Sequence, residues 1–287
     1  MNLSSKRGVQ NLFKKYRVRP SKGLGQNFLI DKRVITKLIR AANFKPGDII
    51  LEIGPGIGAL TQELAKKVKK VVAVEKDQKM MGILKETLED FKNIEIIKGD
   101  VLKFRILDFG FPGRDGFPSN YKVVGNLPFY LTAPVIRKFL ETIEVKPHQM
   151  ILVVQKEVGQ RICARPPGMS ILAVSVQFYA KPEIVSYISK KSFWPQPKVD
   201  GAILKIIPKK PTTSPELVDL FFKIVEAGFS HPRKQLINNL SKELKLDREK
   251  VKDWLLKNNI QPNQRAETLT VENWLSLTKS CKISQRG

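Results

Sequence analysis

Between residues 46 and 155, short continuous apolar runs alternate with amphipathic segments, and this alternation constrains the fold more than any other feature of the chain. PGDIILEIG, KKVVAVEKD, NIEIIKGDV, YKVVGNLP and QMILVVQ read as strands, the last running into KEVGQRI. GALTQELAKKV, KMMGILKETLEDF and TAPVIRKFLETI carry apolar residues at helical spacing. DKRVITKLIRAA does the same ahead of the first strand, with Asp31 placed as its N-cap. Strands that are apolar almost throughout need cover on both faces, and intervening helices supply it, so the expected core is a mostly parallel α/β sheet. The Gly/Pro-rich FGFPGRDGFPSN is a loop. Beyond residue 170, ILAVSVQFYA and VDGAILKIIP read as two more strands around KKSFWPQPKVD, where aromatic residues and prolines break regular structure. From Ser214 the pattern is helical, punctuated by Pro232 and Pro262, and PKKPTTSP reads as a linker. The expected layout is a basic N-terminal arm at 1–25, an α/β domain at 26–208 and a smaller all-α domain at 209–287.

Charge points to the partner. The 287 residues hold 51 Lys+Arg against 27 Asp+Glu, a net charge of +24, and a surface that basic attracts polyanions. No apolar run approaches the roughly 20 residues that span a membrane, and no secretory apolar segment follows the basic N-terminus. Nucleic acid is therefore the expected partner, ahead of an anionic membrane surface. The first 25 residues contain Lys6, Arg7, Lys14, Lys15, Arg17, Arg19 and Lys22 and no acid, which fits a solvated tail and a phosphate-tracking segment equally. Cys163 and Cys281 have neither disulfide-framework nor zinc spacing and read as thiols of a reducing compartment. With two histidines in the chain, a histidine triad or metal cage is poorly supplied, and no metal is expected.

The chemistry-bearing residues fall at strand ends. LEIGPGIGAL sets Gly54, Gly56 and Gly58 between a strand and a helix, where glycine lets backbone approach a ligand and the helix offers free amide hydrogens. Glu75 ends the second strand, placed to accept the ribose hydroxyls of an adenosine-containing cofactor. Asp100 ends the third, within reach of an adenine amine. Two acids at successive strand ends beside a Gly-rich turn indicate a nucleoside site, without choosing between NAD and S-adenosylmethionine. An NAD-dependent oxidoreductase would also need a catalytic acid/base and a second nucleotide half, neither of which is visible.

The fourth strand ends in Asn126-Leu127-Pro128-Phe129, which resembles the Asn/Asp-Pro-Pro-aromatic motif of S-adenosylmethionine-dependent amino-methyltransferases. An exocyclic adenine amine is a poor nucleophile because its lone pair is delocalised into the ring. If the Asn126 side-chain oxygen and the Leu127 carbonyl accept its two hydrogens, the lone pair is steered toward the methyl group. Pro128 fixes the turn, and Phe129 stacks on the extruded base. A turn with an incidental Phe is the bland alternative.

With GLGQNFLIDKRVI, LEIGPGIGALT, VVGNLPFYLTAPV, QKEVGQRI, SFWPQPKVDGAIL, FSHPRKQLINNL and RAETLT in order along nearly the whole chain, the sequence resembles the ribosomal RNA adenine dimethylase family. The resemblance implies a Rossmann-like S-adenosylmethionine methyltransferase sheet with a helical C-terminal RNA-binding domain. It implies dimethylation of two adjacent adenosines in a hairpin loop near the 3′ end of small-subunit ribosomal RNA, within an assembling subunit. By the same resemblance Asn27, Leu29, Gly54, Gly56, Glu75, Asp100, Val101 and Asn126 line the S-adenosyl-L-methionine site, and Phe129 and Phe193 sandwich the base. Arg233 and Lys234, read as lying on a helix, are either a solvated face or contacts to RNA phosphate, the latter favoured by the resemblance. A cytoplasmic monomer is expected. Two positions depart from the family: Phe129 stands where Tyr is usual, and Tyr130 where Asn or Gln is common, which leaves the local loop geometry open. The rival readings are a large-subunit rRNA methyltransferase of the resistance type and a non-catalytic assembly factor.

Overall fold

The computed structural model describes residues 2–105, 121–143, 145–209 and 213–281. The loop expected at 109–120 and part of the linker at 208–215 lie outside them. The chain forms two compact units, one made of Met1–Gly159 with Ala180–Pro208, the other of Gln160–Tyr179 with Lys209–Gly287.

In the first unit, α1 (Lys6–Lys15) precedes β1 (Phe28–Leu29), α2 (Lys32–Ala42), β2 (Ile49–Ile53), α3 (Ala59–Ala65), β3 (Lys70–Glu75), α4 (Gln78–Thr87), β4 (Ile94–Lys98), β5 (Tyr121–Asn126), α5 (Thr132–Arg137) and β6 (Gln149–Gln155). The unit boundary falls inside α6 (Lys156–Ile162), and β7 (Ala180–Ile188), β8 (Phe193–Trp194) and β9 (Gly201–Pro208) complete the unit. The large sheet runs β4-β3-β2-β5-β6-β9-β7. Its first five strands are parallel, while β9 and β7 pair antiparallel at one edge. The sequence signals for β2, β3, β5 and β6 hold because these strands are buried almost throughout, so most of their positions are apolar. Asp31 caps α2, accepting from the Arg33 amide.

The basic arm is not a tail. Ser5 caps α1, and Val9, Leu12 and Phe13 are buried in the same apolar core as the inner faces of β2, β3 and β5. Its charge hid a stripe of apolar residues one helical turn apart, enough to dock it. At the amino end of the sheet a buried ion pair joins Lys122 to Asp48 at 2.6 Å, and Gln149 donates to the Ala42 carbonyl at 3.0 Å. These ties fix the end of α2 against the sheet, opposite the strand ends that bear the site.

Two assignments change. Residues 171–180, expected as a strand, form α7 (Ile171–Tyr179) in the second unit. A short apolar run does not distinguish a strand from a buried helix. Here Ser170 Oγ accepts from the Ala173 amide, and Phe178 packs on Phe221 with ring centroids 4.3 Å apart. The strand in this region is instead β7, an edge strand whose exposure alternates residue by residue and which tolerates Pro182 for that reason. Residues 160–179 accordingly group with the C-terminal helices, where a boundary at 208/209 had been expected to divide the chain.

The second unit adds α8 (Pro215–Phe229), α9 (Leu236–Glu243), α10 (Arg248–Lys257) and α11 (Val271–Ser280) around a core that includes fully buried Trp274 and Phe221. A Cβ on Gly228 would come within 2.4 Å of the Trp274 ring, so glycine lets α8 and α11 approach. FSHPRKQLINNL is not one helix: α8 ends at Phe229 and α9 begins at Leu236, leaving Arg233 and Lys234 exposed in the turn between. Pro232 cannot donate to a helix ladder, and buried Asn239 satisfies the end of α8 by donating to the carbonyls of Gly228 (2.7 Å) and His231 (3.0 Å). RAETLT is structural too: Ala266 and Leu269 are core residues, and Thr270 caps α11 with Asn273 in a capping box.

Candidate active site

The sheet order reverses at β2, which has β3 on one side and β5 on the other. Open α/β sheets bind ligands outside the carboxyl ends of the strands at such a switch point. A cavity opens there, lined by the ends of β2, β3, β5 and β6, the segment after β4 and the loop before β1.

The Gly-rich turn after β2 is held in a conformation few other residues adopt, with φ of +67° at Gly54, +59° at Gly56 and +86° at Gly58. A Cβ on Gly56 would also meet the Phe28 ring at 2.9 Å, so β1 packs directly over the turn. Glu75 Oε2 accepts from the Gly56 amide at 3.1 Å, and its Oε1 accepts from the Asp77 amide at 2.7 Å. Burial pushes the pKa of Glu75 up, and the Asp77 and Gly56 amides offset this only in part. Asp100 pairs with Lys76 at 2.9 Å and accepts from the Leu102 amide at 3.0 Å. Burial opposes its ionisation, but Lys76 and the amide prevail and hold its pKa below the usual carboxylate range. Val101 closes the wall beside it, buried.

At the end of β5, Asn126 Nδ2 donates to the Asn27 carbonyl at 2.8 Å. A carbonyl oxygen accepts only, so the atom facing it is the amide nitrogen, and Oδ1 is left as an acceptor in the cavity wall. Asn27 Nδ2 in turn donates to the Gly25 carbonyl at 3.1 Å. Gly25, with φ of +61°, lies so close to Pro128 that a Cβ would sit 3.1 Å from the proline Cβ. Leu127 donates its amide to Val153 at 3.1 Å with its side chain buried, and Pro128 turns the chain into a single 3-10 turn, Phe129–Leu131.

Residues far apart in sequence are joined by a two-stranded ribbon. β1 pairs antiparallel with β8, setting Phe28 opposite Trp194 and Leu29 opposite Phe193. The Ile30 amide donates to the Ser192 carbonyl at 2.9 Å, and Ser192 Oγ donates to Asp31 at 3.1 Å. Asn27, Leu29 and Phe193 therefore line the same cavity as Gly54, Gly56, Glu75, Asp100, Val101 and Asn126–Phe129. The two rings differ: Phe193 is buried at 6% exposure, whereas Phe129 is 47% exposed. Arg233 and Lys234 belong to the other unit and are not among the residues of this cavity.

Several residues of the site carried no functional reading in the sequence. Gln26 donates to Asp77 at 2.8 Å and ties the loop before β1 to the start of α4. Glu52 lies in the cavity wall, 1% exposed, with Oε2 unpartnered. Its signal was available: it is an acid inside an otherwise apolar, fully covered strand. The site offers positive-φ glycines that admit a ligand against backbone, a buried carboxylate for hydroxyl donors and an unpartnered acid for a cationic group. Those features suit S-adenosyl-L-methionine, whose ribose supplies hydroxyls and whose α-ammonium and sulfonium groups are positive.

Comparison with known proteins gives concordant matches. The family profile "Ribosomal RNA adenine dimethylase" matches residues 18–282. The chain is 41% identical over 279 residues to the Ribosomal RNA small subunit methyltransferase A of Alkaliphilus oremlandii, covering 95% of each. It is 38% identical over 289 residues to that of Clostridioides difficile, covering 99% of each. Among solved structures, the 23S rRNA methyltransferase ErmE superposes with a TM-score of 0.72 at 26% identity, over 88% of this chain and 99% of that one. A dimethyladenosine transferase from Plasmodium falciparum gives a TM-score of 0.70, also at 26% identity, over 86% and 94%. The fold is thus shared with a 23S rRNA methyltransferase, and it is the higher sequence identity to the small-subunit methyltransferases that sets this chain apart from it. A class I methyltransferase sheet, with the amino-methyltransferase tetrad at the end of β5 and a match running almost end to end, makes this chain a member of the ribosomal RNA adenine dimethylase family.

Proposed function

We propose that the chain uses S-adenosyl-L-methionine to dimethylate the N6 amines of small-subunit ribosomal RNA adenosines, the target being two adjacent adenosines in a hairpin loop near the 3′ end. The observation that carries the reading is the Asn126–Asn27 hydrogen bond, which turns Asn126 Oδ1 toward an incoming amine. Asn126 Oδ1 and the Leu127 carbonyl accept the two N6 hydrogens, pulling the nitrogen out of conjugation so that its lone pair points at the methyl carbon. The cofactor supplies an electrophilic methyl on a sulfonium that leaves as a neutral sulfide. As the C–N bond forms and the C–S bond breaks, the nitrogen becomes cationic and then loses a proton to water. In the second transfer the monomethylated amine has one N–H left, which one of the two oxygens accepts, and that proton is lost to water in turn. No strong base is needed, since the proton leaves a nitrogen already made acidic by alkylation. Glu75 accepts the ribose hydroxyls, the Gly54–Gly58 turn admits the cofactor against backbone, and Asp100 and Val101 flank the adenine.

Phe129 and Phe193 hold the target base in this reading, with Phe193 as the fixed wall and the half-exposed Phe129 closing on the base. Stacking on one ring contributes roughly 1–3 kcal/mol per base. Phe129→Ala is therefore expected to lower kcat/KM by about 10- to 100-fold without weakening cofactor binding. Steady-state methyl transfer beside cofactor-induced thermal shift checks it; a change under threefold would remove Phe129 from the base site. Tyr at this position should be close to neutral, since stacking uses only the ring.

Arg233 and Lys234, exposed in their turn, are assigned to RNA phosphate, within a helical unit that grips the substrate. The enzyme is read as a cytoplasmic monomer working on a partly assembled small subunit. Among the described residues no helix is long and apolar enough to cross a membrane, and no cluster of His, Cys, Asp and Glu could hold a metal. The deciding experiment is methyl transfer from labelled cofactor to unmethylated small subunits, with large subunits alongside. Label in dimethyladenosine of the small subunit alone is expected. Label in the large subunit would make this the resistance-type activity, and RNA binding without label would make it an assembly factor.

A further inference from the structure

A second, larger groove of about 1150 Å³ opens beside the catalytic cavity, between α1 with the segment after it and the Trp194–Lys198 loop. It exceeds the roughly 300–1,000 Å³ of most small-molecule sites. Five cations line it, Lys14, Arg17, Arg19, Lys22 and Lys198, and no acidic residue does. All five are exposed, and among the described residues none has an ion pair or a side-chain hydrogen bond. Their neighbour Lys15 shows the contrast, being held by Glu86 at 2.7 Å. The arm thus uses Lys15 in its own docking and presents Lys14, Arg17, Arg19 and Lys22 to the groove.

The groove is continuous with the catalytic cavity. Gly25, Gln26, Asn27, Phe129 and Pro197 border both. Its floor is aromatic: Trp194 is partly exposed there and stands edge-on to buried Phe13, with centroids 5.3 Å apart. Phe13 packs in turn on Phe28, so the ring rests on the core and on the β1–β8 ribbon. The amides of Gln10 and Gln196 on the walls can pair with base edges without demanding one sequence. Unpaired cations along a channel, an aromatic floor and uncommitted amides are the composition of a site for single-stranded nucleic acid.

We propose that this groove receives the nucleotides adjoining the target adenosine, holding their phosphates on the five cations and stacking a base on Trp194. The assignment rests on the reading of the chain as an RNA adenine methyltransferase and extends it. The base extruded into the catalytic cavity remains tied to its strand, and the shared border at Asn27 and Phe129 is where that strand leaves. With two adjacent targets, the groove is where the second adenosine lies while the first reacts.

The test compares two fourfold variants on unmethylated small subunits. One carries Lys14→Gln, Arg19→Gln, Lys22→Gln and Lys198→Gln. The control carries Lys32→Gln, Lys37→Gln, Lys67→Gln and Lys85→Gln, which are exposed lysines elsewhere on the same unit. The groove variant should raise KM by about tenfold or more, and lower the slope of log affinity against log salt by about 3, from roughly 0.7 per single-strand phosphate contact. The control should change both far less, and cofactor-induced thermal shifts should be preserved in both. A nucleotide next to the target replaced by 4-thiouridine should cross-link to peptides containing Trp194 or Lys198. Equal losses in the two variants, or an unchanged salt slope with cross-links elsewhere, would overturn the groove assignment while methylation by the wild type continued. Absence of methylation by the wild type would instead remove the functional reading beneath it.

Discussion

Asn126→Ala is expected to lower kcat for methyl transfer by roughly 10²–10³-fold, the loss typical of removing one preorganised polar group from a reacting centre, while RNA affinity stays near wild type. Orientation can supply on the order of 7–11 kcal/mol of barrier reduction where the geometry is right, so a residue whose task is orientation shows its effect in kcat. The side chain is itself oriented: Nδ2 is committed to the Asn27 carbonyl, which is held by the loop that carries Gly25 against Pro128. Asn126→Asp makes the sharper test. It keeps an acceptor but sets a carboxylate oxygen against the Asn27 carbonyl at the position of a 2.8 Å hydrogen bond. That repulsion should swing the group away, leaving the aspartate variant nearly as slow as the alanine one. Single-turnover methyl transfer with saturating RNA reads the step directly. An aspartate variant within fivefold of wild type would show that any acceptor suffices and that the hydrogen bond to Asn27 is incidental.

The legible parts of the fold were those whose physics is local or fully enforced. β2, β3, β5 and β6 were readable because central parallel strands admit almost nothing but apolar side chains, and Glu75 and Asn126 because they end such strands. α7 was misread because a helix buried on most sides loses its periodicity, and β7 went unseen because an edge strand keeps polar residues and a proline. The β1–β8 ribbon had no sequence signal, since a two-residue strand has no period. Yet that ribbon brings Phe193 to within the cavity that holds Asn126, a closure between segments more than 160 residues apart that only tertiary structure reveals. The arm was ambiguous for a different reason: charge density described its surface, while three buried side chains decided its place.

Glu52→Gln is expected to stabilise the first unit at neutral pH, by roughly 3 kcal/mol at pH 7, and to flatten its dependence on pH. Burial is the main cause of a Glu52 pKa pushed up to about 8, and repulsion by Glu75 adds to it. Thr61 lowers the value only in part, and its hydroxyl lacks hydrogen-bond geometry to the carboxyl. In the unfolded chain this carboxyl ionises near pH 4.5, whereas in the folded protein it keeps its proton to about pH 8. Between those values the folded state binds more protons, so stability falls as pH rises through the window and levels off on either side. A glutamine has the same shape and no charge to desolvate. It should remove most of the slope, leaving the smaller one of the same sign that Glu75, also shifted upward, contributes. Urea unfolding followed by the 19F resonance of 5-fluorotryptophan at Trp194, the one tryptophan of this unit, at several values between pH 5 and pH 8.5 resolves the two curves. The acid is tolerated because it lines the cavity: a positive ligand beside Oε2 favours its ionised form and offsets the cost of burial. S-adenosyl-L-methionine should accordingly raise the melting temperature of the wild type more than that of the glutamine variant. Equal slopes in the two proteins would mean that Glu52 is hydrated and ordinary, and would remove it from the electrostatics of the site.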